Sequence, residues 1–200
     1  MSTRGSMSAM TKNAVSVMLI GMLLMVGTSR AAEEPRLATF PELDLVDLNG
    51  SSVPLTKAMG RTTVINFWAT WCGPCRMELP ELQQLSNEFG RRGLVVLAVN
   101  VEGQPVPTSS MARYLELMKP RIDSFARSSN LSLPTYVLTD MAQGVLDEFG
   151  VPLDRIPTTF VLDAKGRIVR FYRGFSREAM RDLRQQVGAM LAEGVGKGGK

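Results

Sequence analysis

Thr62-Thr-Val-Ile-Asn-Phe-Trp-Ala-Thr-Trp-Cys-Gly-Pro-Cys-Arg-Met-Glu-Leu-Pro80 changes its period half-way along. The first seven residues are β-branched, apolar or aromatic almost without interruption, the pattern of a strand buried on both faces. Beyond Cys75 the spacing turns helical: Leu79, Leu82, Leu85 and Phe89 fall on one side, and Gly90 follows as a stop signal. A second apolar run, Leu94 to Val101, completes a β-α-β unit. Upstream, Leu43 to Leu48, the two-residue turn Asn49-Gly50 and Val53 to Leu55 read as an N-terminal β-hairpin. Downstream, a helix is expected from Met111 to Ser128, capped by Thr108-Ser-Ser110 and kinked or split at Pro120. A short strand at Pro134–Leu138, a short helix at Ala142–Phe149, a hairpin of Thr158–Leu162 with Arg167–Tyr172, and a final helix from Ser176 to Ala192 follow. The expected class is α/β, a central mixed β-sheet flanked by helices over residues 40–193, with the hairpin as an extension.

The two ends read differently from this body. Residues 1–31 place Arg4 and Lys12 before an apolar run over 14–27, with Ser29 and Ala31 as small residues before a cut. That order predicts a signal peptide or, uncleaved, a signal anchor that tethers the domain to a membrane through 14–27. Residues 32–39 read as a linker and 194–200 as a flexible Gly/Lys tail. Lys+Arg total 23 against 19 Asp+Glu, but the ends carry the excess, since residues 32–193 hold 18 against 19. No nucleic-acid partner is expected from so balanced a body. Histidine is absent, which removes imidazole-based nucleophile activation and His-ligated metal sites.

Chemistry therefore falls to the only two cysteines, Cys72 and Cys75, placed where the first buried strand gives way to a helix. Two cysteines without histidine cannot close a zinc site, and a disulfide across so short a loop adds little stability. Redox chemistry is the remaining use, with no cofactor and no metal expected; a Cu(I) relay through the two thiolates is the non-enzymatic alternative. Cys72, nearest the positive end of the helix dipole, is the expected nucleophile and Cys75 the resolving thiol. Gly73 and Pro74 support the turn, Pro74 because the first helical turn does not need its missing N–H. Glu78 shares the apolar stripe one turn after Cys75, where desolvation would raise its pKa and let it exchange protons with a thiol. The alternative is a boundary carboxylate with its head in solvent. Trp71 is expected to cover the pair and present an apolar contact surface, and Trp68, Met111 and Met118 to pack in the core.

Val64 to Pro80, with the Asn49-Gly50 hairpin and Ile156-Pro-Thr-Thr-Phe-Val-Leu-Asp163, resembles the thioredoxin superfamily, most closely its exported TlpA/ResA-like branch. The resemblance implies a thioredoxin fold and disulfide exchange between a surface-exposed Cys72 and partner proteins. It implies that Pro157 is a cis-proline facing the cysteines, which leaves the Ile156 backbone free to pair with substrate. Asn66 stands where cytoplasmic relatives have a buried aspartate, and a glutamate at the spacing of Glu78 is functional in this branch. One departure is a longer stretch from Gly150 to Pro157. The Gly-Pro pair between the cysteines points to a reductant acting outside the cytoplasm or in the periplasm, with an oxidase or isomerase as the alternative. Disulfide-containing exported proteins, such as apocytochrome c or copper-site cysteines, are the implied targets, and a membrane electron donor the implied source. A cysteine peroxidase fits less well, because its reactive cysteine does not stand in CxxC.

Overall fold

The computed structural model describes residues 39–103, 107–151 and 153–193. The signal or anchor over 1–31, the linker over 32–39 except Thr39, and the tail over 194–200 lie outside the described residues. Among the described residues no helix is long and apolar enough to cross a membrane. In chain order the elements are β1 (Asp44–Asp47), β2 (Ser52–Pro54), a single turn α1 (Leu55–Ala58), β3 (Thr62–Trp68), α2 (Gly73–Phe89) and β4 (Leu94–Asn100). Then come α3 (Met111–Ser128), β5 (Thr135–Val137), α4 (Asp140–Glu148), β6 (Thr158–Asp163), β7 (Ile168–Arg173) and α5 (Arg177–Glu193). The strands form one mixed sheet in the order β2-β1-β5-β4-β3-β6-β7. The strand that leads to the cysteines, β3, lies inside the sheet, parallel to β4 on one side and antiparallel to β6 on the other.

Every residue of β3 is buried, because the sheet is covered on both faces and alternate side chains feed two cores. Val64 and Trp68 join Leu79, Leu82 and Leu85 of α2, Ile122 of α3 and Leu183 and Val187 of α5. Ile65 and Phe67 point the other way, to Phe40, Leu97, Val99, Leu146 of α4 and Phe160. There the rings of Phe40, Phe67 and Phe171 surround Phe160 with centroids 4.7 to 6.2 Å away. The expected α/β class, with its N-terminal hairpin, is what the chain forms.

Local departures have local causes. The hairpin turn has three residues, Leu48 to Gly50, instead of two. Asp47 Oδ1 accepts from the amides of Asn49 and Ser51, and Gly50 takes φ +87°, a conformation that favours glycine. Gly90 remains right-handed and continues α2 into a 3-10 turn, and Gly93, at φ +102°, makes the reversal into β4. There a Cβ would come within 2.9 Å of the Arg61 side chain, a second reason for glycine. Thr108–Ser110 form a 3-10 turn, and Ser110 gives α3 no side-chain cap. Pro120 does not split α3: it lies on the exposed side, while Met118 and Ile122 anchor the helix to the core on either side of it. Thr139 caps α4, which starts two residues earlier than expected, and Ser176 Oγ accepts from Ala179 N to start α5.

Candidate active site

After β3 the chain turns through Ala69-Thr70-Trp71, closed by Cys72 N donating to Ala69 O at 3.1 Å. Cys72 is the N-cap of α2, with non-helical φ −78° and ψ 106°, and its Sγ accepts from Cys75 N at 3.2 Å. Its carbonyl accepts from Arg76 N, so one residue serves both ends of the first turn. Pro74 sits in that turn as expected, whereas a Cβ at Gly73 would meet nothing within 4 Å, so packing does not demand the glycine. Cys72 and Cys75 form a disulfide, Cα to Cα 5.3 Å.

The implied surface exposure of Cys72 does not hold for this oxidised form. Cys72 is 4% exposed and Cys75 0%, because the N-cap position turns both sulfurs into the core cluster with Trp68 and Leu79. Trp71 is 67% exposed and is the apolar surface at this site, while Trp68 is core.

Glu78 is buried, so its head is not in solvent: it is 3% exposed, the helical period having carried it inward. Thr159 Oγ1 donates to its Oε1 at 2.9 Å and Asn66 Nδ2 to its Oε2 at 3.0 Å. The same Asn66 amide donates to Thr159 Oγ1 at 2.8 Å, across the β3–β6 pairing that sets these two residues opposite each other. Burial pushes the Glu78 carboxyl up from 4.5 to about 7, against the hydrogen bonds from Thr159 and Asn66, which favour the anion. Neutral dipoles soften the desolvation without cancelling it.

The Ile156–Pro157 peptide is cis. Ile156 packs against the cluster that holds both cysteines, and Pro157 O accepts from Gly174 N at 2.7 Å. Met111 and Met118 are buried in the hydrophobic clusters, as packing residues.

Two residues at the site escape a reading of the sequence. Thr159 reads only as part of a buried strand. Glu102, two residues past β4, is 6% exposed and accepts from both the amide of Thr70, at 3.0 Å, and its hydroxyl. Arg121 of α3 approaches the other oxygen of Glu102 at 3.5 Å, and Tyr114 donates to its carbonyl at 2.6 Å. A carboxylate just beyond the C-terminal end of a parallel strand was the available signal, since loops at that end of open sheets build sites.

A family model described as AhpC/TSA matches residues 38–171, most of the described body. The chain belongs to the AhpC/TSA family. It is 33% identical over 137 residues to a thiol-disulfide oxidoreductase ResA of Geobacillus thermodenitrificans, a match that spans 68% of each chain. To ResA of Bacillus subtilis it is 29% identical over 140 residues, 70% of this chain and 68% of that one. Among solved structures, a thioredoxin-family thiol:disulfide interchange protein from Chlorobium tepidum superposes with a TM-score of 0.60 at 24% identity. That match covers 78% of this chain and 97% of the other, and shows the thioredoxin fold. The chain is a thiol-disulfide oxidoreductase, and it carries the Cys72–Cys75 disulfide at the start of α2.

Proposed function

We propose that this protein is a reductant of disulfides in exported partner proteins, with Cys72 as nucleophile, Cys75 as resolving thiol and Glu78 as the group that exchanges a proton with Cys75. The observation that carries the reading is Glu78, a buried carboxyl poised at about 7 one helical turn beyond Cys75. The Cys72 thiolate attacks one sulfur of the partner disulfide, forming a mixed disulfide and releasing the partner's other sulfur as a thiolate. Glu78 takes the proton of Cys75, whose thiolate attacks Cys72 Sγ. The Cys72–Cys75 disulfide forms, two electrons pass to the partner, and its second thiolate leaves and is protonated. Trp71 and the surrounding turn supply the contact surface. Ile156, whose N–H and C=O bond no backbone group among the described residues, is the position for an extended partner segment. Outside the cytoplasm a membrane electron donor would restore the dithiol, and cytochrome c or copper-site cysteines are the candidate targets. Equilibration with glutathione and dithiothreitol tests the direction. A potential near or below about −220 mV supports a reductant, and one near about −120 mV makes the protein a disulfide donor.

A further inference from the structure

The turn that carries the cysteines is flanked by a groove of about 460 Å³ whose chemistry is one-sided. Thr70 and Arg76 form one bank, and Arg121, Ser124, Phe125 and Ser128 of α3 the other. The Arg76 guanidinium lies 5.7 Å from the centre of the Phe125 ring, and among the described residues no carboxylate pairs with it. Arg121 reaches Glu102 at 3.5 Å, but the Glu102 side chain is only 8% exposed and that of Arg121 63%. The carboxylate is thus behind the wall, with Oε2 on Thr70 and Oε1 facing Arg121 Nη1, while the rest of the largely exposed Arg121 side chain borders the groove. No acidic residue lines it, in a body whose charges otherwise balance. Two guanidiniums, serine hydroxyls and an aromatic face suit carboxylates on a peptide. Thr70 lies two residues before Cys72 and Arg76 one after Cys75, so a chain seated there lies against the turn that carries the cysteines.

We propose that this groove seats an acidic segment of the partner protein, with Arg76 and Arg121 receiving its Asp or Glu side chains, so that disulfides flanked by acidic residues are preferred. The proposal rests on the reductase reading above and names its substrate class. The test uses the full chain, reduced beforehand, in single-turnover reactions with three disulfides. Two are peptides with the same disulfide loop, one flanked by Asp and Glu and one by Ser and Asn. The third is 2-hydroxyethyl disulfide, neutral and too small to use the groove. Two exposed ion pairs predict a second-order rate constant about tenfold higher for the acidic peptide at low salt, fading as salt is added. The Arg76→Gln/Arg121→Gln double variant brings the two peptides to parity, and Ser124→Glu, which keeps both arginines, also lowers the acidic peptide's rate. Equal rates for the two peptides with the unaltered protein, or a preference that survives the double variant, overturn the proposal. If 2-hydroxyethyl disulfide is not reduced either, the reductase reading itself fails and takes the proposal with it.

Discussion

Glu78 and Glu102 are two buried carboxylates, one on the helix that follows the Ala69–Trp71 turn and one bonded to Thr70 within it, and both accept from a threonine hydroxyl. Their other partners differ. Glu102 also holds a backbone amide and faces the guanidinium of Arg121, so it is tied to the turn's main chain and to α3. Among the described residues Glu78 has only the amide of Asn66 and the hydroxyl of Thr159, neutral groups on two neighbouring strands. The contrast separates two uses of a buried charge. A carboxylate given a cation and a main-chain donor fixes geometry, and one given only side-chain dipoles keeps a proton within reach.

Four experiments would break or sharpen that contrast. The largest effect sets the scale: Cys72→Ser abolishes turnover of any disulfide substrate, and Cys75→Ser stalls at a mixed disulfide visible by mass spectrometry. The second concerns stability. Glu78 is raised in the fold, so the native state holds a proton that the unfolded chain loses above about 4.5, and native stability falls as pH rises from there through about 7. Denaturant titrations of the oxidised protein should show Glu78→Gln gaining on the parent by on the order of 3 kcal/mol between pH 4 and pH 8. An unchanged difference across that range would make Glu78 a structural carboxylate. The two proteins share every other titratable side chain, so the change in their difference with pH isolates Glu78. Third, stopped-flow decay of the mixed disulfide should slow about a hundredfold in Glu78→Gln and lose its inflection near 7. Smallest, Glu102→Gln should cost about 1 to 2 kcal/mol of stability and leave that inflection in place. A shifted inflection would show that the two carboxylates share one network.

The sequence makes Glu78 legible because a helix has a period, and counting from Leu82 and Leu85 places it inward. Glu102 follows the last residues of β4, where no period applies, and only the register of β4 on β3 brings it to Thr70. Cys72 shows the same limit: its chemistry is readable from its place before α2, but its burial depends on how Ala69 to Trp71 turn, which no spacing encodes. At Asn49-Gly50 the residues announce a turn, and the Asp47 carboxylate decides its length. Pro120 announces a break that packing at Met118 and Ile122 overrides.

The outermost strands of the sheet have a consequence for self-association. β2 is three residues long and ends at Pro54, while β7 leaves Arg170 and Arg173 exposed along the opposite rim. Short length, proline and repeated positive charge each make an edge a poor template for a foreign strand, so neither rim invites fibril growth or strand swapping between copies. An extended polypeptide is turned away at both borders of the sheet, which leaves the main chain of Ile156, packed against the cysteine cluster, as the place proposed above for it.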